Sequence, residues 1–267
     1  MHRLCALLVA AIWTTALEPN ASAADLQREG LVYLNARPPA FAWSGCYVGL
    51  NTGVAFDHVG FATTVDQGSH FFLAPNVAAV GAAASGTSNG QVGFIGGAQT
   101  GCNWQTGSLV FGLEGDFNGL APKAEFTGNG TTTLGPVSVT NSISTSWLAT
   151  VRPRVGYAPY RTLVYVTGGI AVARFKFGQT YSEPNFPASG SSDAVDVKAG
   201  WTIGAGYEYA FANNWSARFE YLYARFNSAA NNDWLLVTPI ATSNQFHGSA
   251  GDLNMNILRV GLSYKLM

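Results

Sequence analysis

The chain has 267 residues, of which 48% are hydrophobic, 13% aromatic and only 11% charged, and its formal net charge is −1. About 25% of the residues of an average soluble protein are charged, so this composition argues against a soluble protein with a fully hydrated surface. The near-neutral charge argues against nucleic-acid binding. No stretch after the N-terminus reaches the roughly 18 consecutive apolar residues that a membrane helix needs.

The N-terminus predicts export. A basic start is followed by an apolar run over 4–17 and by the small residues Ala21-Ser22-Ala23, the arrangement of a cleavable signal peptide. The alternative for the apolar run is a short buried helix. We assign 1–23 to the signal peptide and 24–42, which contains two prolines and several charges, to a periplasmic lead-in.

Downstream, eight segments alternate apolar residues with small or polar ones at a period of two, which is typical of two-faced strands. The predicted strands cover about 47–56, 91–104, 109–117, 144–157, 163–177, 200–211, 215–226 and 254–266. The fifth is apolar on both faces for most of its length. There we place Val164, Val166, Ile170 and Val172 toward lipid.

The connections between these strands alternate in length. Three are about four residues long, and they alternate with four of about 20 to 35 residues at 57–90, 118–142, 178–199 and 227–253. This pattern predicts an all-β fold over 43–267. The predicted fold is an eight-stranded antiparallel transmembrane β-barrel in the outer membrane of a Gram-negative bacterium, with short periplasmic turns and four long extracellular loops. A soluble sandwich or lipocalin-like barrel is the alternative, but neither shows this alternation.

Strand parity turns several charged residues toward the barrel interior. They are Glu114, Asp116, Arg152, Arg154, Glu208, Arg218, Glu220 and Arg259. They could line a selective pore. The interpretation that we favour is a network of paired charges, because a barrel of eight strands is only wide enough to be filled by its own side chains.

The two cysteines of the mature chain, Cys46 and Cys102, are expected at the periplasmic rim on neighbouring strands with the same facing. A disulfide and a pair of free thiols both remain open, since the register between the strands is not set by parity alone. We expect no metal site, because no histidine lies near them, and no other cofactor.

Five segments together resemble the porin-like outer-membrane immunogens of alphaproteobacteria, which are related in architecture to the OmpA transmembrane barrel. They read WSGCYVGLNTGVAF, GFIGGAQTGCNWQTGSLVFGLEGDF, SWLATVRPRVGYAPYRTLVYVTGGIAVARFKF, GWTIGAGYEYAFANNWSARFEYLYARF and NILRVGLSYKLM. The resemblance covers the strands and short turns from Trp43 onward but little of the long connections. The chain departs from the family in its non-aromatic end, Leu266-Met267, and in the cysteine pair.

The resemblance implies a surface antigen with a mainly structural role in envelope integrity and surface contacts. A small porin or diffusion channel is one alternative. A haemin-binding receptor is another, since relatives have been linked to haemin, and His58, His70 and His247 lie in the predicted extracellular loops. Solvated loop histidines are the more common situation.

We expect no enzymatic activity, because the histidines have no carboxylate or serine motif beside them at the strand ends. The expected partners are outer-membrane lipid, the barrel-assembly machinery and an unidentified extracellular ligand, with no nucleic acid. Aromatic residues near strand ends are expected to form the girdles that anchor a barrel at headgroup depth. They are Trp43, Trp104, Trp147, Trp201, Trp215, Tyr157, Tyr207 and Tyr221.

Overall fold

The computed structural model describes residues 41–66, 74–185, 188–227, 230–237 and 243–266. The predicted signal peptide and nearly all of the predicted lead-in lie outside these residues. The strands and the helix, in chain order, are β1 (Gly45–Val65), α1 (Ala74–Ala83), β2 (Gly86–Asn89), β3 (Gly93–Thr106), β4 (Leu109–Leu120), β5 (Lys123–Thr132), β6 (Gly135–Tyr157), β7 (Thr162–Glu183), β8 (Ala188–Ala210), β9 (Trp215–Phe226), β10 (Ala230–Val237) and β11 (Ser243–Lys265).

Eight long strands close into a ring. The order around it is β1, β3, β4, β6, β7, β8, β9 and β11, each antiparallel to its neighbours, and β11 returns to pair with β1. The register of this closing pair places Tyr47 opposite Lys265 and Val65 opposite Phe246. The predicted eight-stranded antiparallel barrel is thereby confirmed.

The two ends of the ring differ. At one end, which we call the short-turn end, β3–β4, β6–β7 and β8–β9 are joined by a few residues each; Gly107, with φ of 60°, makes the first of these turns. At the other, the long-hairpin end, the connections are long. Here the structure differs from the prediction of loops. Five ring strands, β1, β6, β7, β8 and β11, extend well past their predicted ends, and β2, β5 and β10 add to β1, β6 and β11.

Burial explains these extensions. Beyond the predicted strand ends, toward the long-hairpin end, the inward residues Val139, Tyr181 and Phe246 are fully buried. Ser and Thr are the most common residues at the outward positions there. Alternation of this kind continues a two-faced strand. The sequence pattern did not reveal these extensions, because with polar outward residues the segments are not hydrophobic enough to be recognised as strands.

The outward face carries an apolar belt. Exposed apolar residues occupy outward positions on every ring strand. We call the following set the outer apolar belt: Val48, Leu50, Phe94, Leu113, Phe117, Val151, Val164, Val166, Ile170, Ile203, Phe219, Val260 and Leu262. The predicted facing of the fifth strand is confirmed for Val164, Val166 and Ile170, with Val172 partly buried.

One predicted girdle residue is wrong. Trp43 is only 4% exposed, whereas Trp104, Tyr157 and Trp215 are all at least 45% exposed. Trp43 precedes β1, and it packs inside the short-turn end with Leu163 and other buried residues. A residue outside the strand has no parity to follow, so its aromatic character alone was misleading.

Inside the ring, the side chains form layers. An apolar layer lies in the middle of the barrel and extends toward the long-hairpin end. It includes Ile95, Phe175, Phe177, Phe226 and Met255. A second apolar cluster at the long-hairpin end joins Val139 and Leu236 to Val80 of α1. Among the described residues, no helix is long and apolar enough to cross a membrane.

Candidate functional site in the barrel interior

The charged residues predicted to face inward all do so. Each of the eight is at most 7% exposed: Glu114 and Asp116 on β4, Arg152 and Arg154 on β6, Glu208 on β8, Arg218 and Glu220 on β9, and Arg259 on β11. Four carboxylates and four guanidinium groups have formal charges that sum to zero. This charged layer lies between the apolar layer and the short-turn end.

Strand register brings opposite charges together. Glu114 lies directly opposite Arg152, Glu208 opposite Arg218, and Glu220 opposite Arg259 on neighbouring antiparallel strands. Facing side chains of such pairs lie about 5 Å apart at Cβ. The local alternation of each strand therefore supplies the facing, and barrel pairing supplies the partner.

Arg152 and Arg259 are linked through Asp116. The Nη2 atom of Arg152 lies 2.7 Å from Glu114 Oε1 and 2.8 Å from Asp116 Oδ2. Arg259 donates from Nε to Glu220 Oε2 at 2.7 Å and from Nη2 to the same Asp116 oxygen at 3.1 Å. Contacts of this length are charge-assisted hydrogen bonds, which are among the stronger polar contacts in proteins.

Glu114 is the centre of the layer. Its carboxylate lies within 4 Å of the guanidinium groups of all four arginines. Arg154 and Arg218 each also reach Glu208, at 3.3 and 3.6 Å. A buried charge is tolerated only when it is paired and hydrogen-bonded. Every arginine of the layer has a carboxylate within 4 Å, but one or more guanidinium nitrogens of each have no hydrogen-bond partner among the described residues.

Two tyrosines that the sequence analysis did not single out complete the layer. The Tyr47 hydroxyl donates to Glu114, and the Tyr165 hydroxyl donates to Glu220 at 2.8 Å. The Arg154 guanidinium lies 4.9 Å from the centre of the Tyr47 ring and 5.1 Å from that of Tyr165. Cation–π contact and hydrogen bonding thus come from the same rings.

Glycine makes room for both rings. Tyr47 lies opposite Gly101 and Tyr165 opposite Gly206 on the adjacent strands. A Cβ atom at position 101 would lie 2.5 Å from the Tyr47 hydroxyl oxygen, and one at 206 would meet the Tyr165 ring. The signal was present in the sequence, because inward parity places these tyrosines and glycines at the level of the charges.

The short-turn end is covered by the segment before β1. The Trp43 backbone N–H donates to Gln105 Oε1 at 2.7 Å, and the Phe41 ring packs edge-on against the Trp43 ring at 4.9 Å. Lys265 Nζ donates to the Ala42 carbonyl at 2.6 Å. This cap ties the start of the barrel to the end of β11.

The structure joins Cys46 and Cys102 in a disulfide. The two residues are opposite each other in the β1–β3 register, and their sulfur atoms are 2.03 Å apart. Both side chains face outward at the short-turn end, as the parity of Cys46 and Cys102 predicts. Among the described residues, no group of three or more His, Cys, Asp and Glu side chains is placed to hold a metal ion.

The three candidate histidines do not form one site. His58 is on the outward face of β1 and hydrogen-bonds Asn89 at 2.7 Å. His247 lies opposite Thr64, six positions further along β1, which is a separation of about 20 Å at the rise of a strand. His70 lies outside the described residues.

His247 has two carboxylate neighbours that sequence reasoning missed. Its Nδ1 atom lies 2.9 Å from Asp233 on β10, and its Nε2 atom lies 3.4 Å from Asp66 at the end of β1. Hydrogen bonds to Asp233 and Asp66 raise the pKa of His247 above its ordinary value. All three groups lie in the strand extensions beyond the outer apolar belt, and the contact links β1, β11 and β10.

We predict that this link depends on pH. Because the folded-state pKa is raised, the stabilisation is fully present below the unfolded pKa of about 6.5 and is lost as the pH rises through the folded value. Amide exchange of β10 should therefore be slower at pH 5.5 than at pH 8.5, after correction for intrinsic exchange. In His247→Gln the protection should be the same at both pH values; an unchanged pH dependence in that variant would contradict the assignment.

The sequence is similar to known outer-membrane proteins. The sequence profile of the outer membrane protein beta-barrel domain family matches residues 30–265. The 31 kDa outer-membrane immunogenic protein of Brucella melitensis is 32% identical over 230 residues, 84% of each chain. The 25 kDa outer-membrane immunogenic protein of Brucella abortus is 26% identical, covering 85% of this chain and 81% of its own. The solved structure of the protease OmpT from Escherichia coli has a TM-score of 0.43 and 9% identity, covering 85% and 98%.

The closed ring and its outer apolar belt define an outer-membrane β-barrel of a Gram-negative bacterium. The chain belongs to the outer membrane protein beta-barrel domain family, in the branch that contains the alphaproteobacterial outer-membrane immunogenic proteins. The short-turn end is accordingly the periplasmic end, and the long-hairpin end faces the outside.

Proposed function

We propose that this protein is a structural barrel that strengthens the outer membrane and presents extended β-hairpins at the cell surface. The observation that carries the proposal is the burial of large inward side chains along much of the barrel. Trp43 covers the periplasmic end and the charged layer follows. Two apolar clusters, with buried polar side chains such as Asn141 and Gln179 between them, lie toward the long-hairpin end.

A diffusion channel is disfavoured by the same side chains. Pore-lining charges act on a permeating solute only when they face water, but Glu114, Arg152 and Glu220 are at most 2% exposed. Their charges are paired with one another. A small barrel whose lumen is packed in this way serves as a scaffold.

The outer apolar belt supports contact with membrane hydrocarbon. Exposed apolar surface of this extent is unfavourable in water, and a closed ring leaves no unpaired strand edge within the lipid. Lipid is thus the partner that we propose for this face. We also propose that the barrel-assembly machinery receives β11, whose end carries the motif Arg259-x-Gly261-x-x-Tyr264-x-Leu266.

The long-hairpin end supports a role in surface contacts. The extensions of β6 and β7, with β5, raise polar outward faces beyond the belt. The relatives named above are called immunogenic, which fits a surface that antibodies reach. We propose a non-enzymatic role, because the relatives named above are outer-membrane immunogenic proteins.

Planar-bilayer recording tests the proposal against the channel. Mature protein, refolded and checked for heat-modifiable gel migration, should give no steady conductance steps, whereas a general porin prepared in the same detergent should. Reproducible steps that persist in 1 M KCl would overturn the structural role.

A strain lacking the protein should become more sensitive to detergent, and restoring the wild-type chain should reverse the change.

A further inference from the structure

The outward face of β7 changes abruptly from apolar to basic. Val166 and Ile170 belong to the outer apolar belt, and the next exposed residues toward the long-hairpin end are Arg174 and Lys176. On β6, the same border falls between Trp147 and the exposed Ser146. Tryptophan is enriched at headgroup depth, so Trp147 marks the level at which hydrocarbon gives way to lipid headgroups.

Strand register adds a third cation. Lys123 on β5 and Lys176 on β7 both lie opposite Ser144, one on each side of β6. Two strand spacings separate their backbones by about 10 Å, which long lysine side chains can span. Arg174 lies opposite Trp147, nearer the belt. We call Lys123, Arg174 and Lys176 the basic border.

The basic border is only partly neutralised within the described chain, since both lysines have carboxylate partners and Arg174 has none. Lys123 pairs with Glu125 at 2.9 Å and Lys176 with Asp193 at 2.8 Å, with every side chain at least half exposed. Exposed pairs of this kind are weak and exchange readily with other anions. Among the described residues, no carboxylate lies within 4 Å of Arg174.

A matched arginine on the far wall behaves differently. Arg225 on β9 also faces outward at the border, opposite Trp201 on β8. It is held by Asp252 at 3.0 Å. Of these two arginines, each opposite a tryptophan, Arg174 is therefore the one that is available to an external anion.

We propose that the basic border binds the phosphate group of an anionic lipid headgroup in the outer leaflet. The guanidinium group of Arg174 presents paired donors that match phosphate oxygens, and the two lysines add point charges beside it. The acyl chains would lie along the outer apolar belt directly below. This inference rests on the proposed lipid contact of that belt.

The test uses the refolded mature protein in nanodiscs of phosphatidylcholine mixed with phosphatidylglycerol. Native mass spectrometry after release from the nanodisc should show retained phosphatidylglycerol in excess of its share. The variant Arg174→Gln should lower that retention about tenfold, the loss of one charge-assisted hydrogen bond. Adding Lys123→Gln and Lys176→Gln to that variant should lower the retention of phosphatidylglycerol further. Arg225→Gln, made alone in the wild-type chain, should leave the retention unchanged.

Several results would overturn the proposal. Retention in proportion to the lipid mixture would do so, as would an equal loss in Arg225→Gln. Saturable binding of 10 mM inorganic phosphate to the protein in pure phosphatidylcholine would assign the cations to a free anion. If Arg174→Gln fails to fold, Arg174→Lys keeps the charge and should lose part of the preference. Failure to enter nanodiscs at all would contradict the proposed function instead.

Discussion

Replacing Arg152 with alanine is expected to lower the free energy of unfolding by about 3 to 5 kcal/mol, the range for removing one partner of a buried ion pair. Arg152 is fully buried and gives short hydrogen bonds to Glu114 and Asp116. Its removal leaves two carboxylates in the interior with fewer cations around them. Urea titration of the refolded protein in micelles, followed by tryptophan fluorescence, measures the change.

The matched control is Arg225→Ala, which removes an arginine from the exposed pair with Asp252 and should change stability by less than about 1 kcal/mol. The double variant Glu114→Gln/Arg152→Gln should be less destabilised than the sum of its single variants, because the two charges leave together. Equal unfolding curves for wild type and Arg152→Ala would show that the charged layer does not stabilise the barrel.

Replacing both cysteines, as Cys46→Ser/Cys102→Ser, is expected to lower the free energy of unfolding by about 2 to 4 kcal/mol. The disulfide closes a segment with a sequence separation of 56 residues. In the unfolded chain it removes conformational freedom, and loss of the bond restores that freedom. The measurement is the same urea titration, carried out without reductant.

Reductant provides the internal control. Dithiothreitol should bring the wild-type unfolding curve to that of the double serine variant and should leave the variant unchanged. Mass spectrometry of the non-reduced, alkylated protein should find neither thiol modified. Two alkylated cysteines, or a wild-type curve that does not respond to reductant, would contradict the disulfide.

The side of the barrel wall that each strand residue faces could be predicted from the sequence. A period of two assigns each strand residue to one side without knowledge of its partners, which is why Glu114, Arg152 and Arg259 were placed inside correctly. Eight strands with alternating short and long connections then define the ring. Both inferences rest on local patterns.

Contacts set by register or by residues outside the strands could not be predicted in the same way. The meeting of Asp116 with Arg259 depends on strands separated by 143 positions in the chain. Trp43 has no strand parity, and the Asp66–His247–Asp233 contact lies where polar outward residues made the strands resemble loops. Asp57 falls in the same region: it is 4% exposed, and among the described residues neither carboxylate oxygen has a hydrogen-bond partner.

The closure of the ring through β1 and β11 has a consequence for biogenesis. The strand that pairs with β1 is β11, which follows every other ring strand in the chain, so the cylinder cannot close until all eight ring strands have been exported. Until then, Arg259 is absent from its carboxylates and two strand edges stay open to other chains. Closure of the ring and neutralisation of the carboxylates by Arg259 are thus expected to occur in one late step. A chain that ends before β11 would keep both the open strand edges and the unpaired carboxylates.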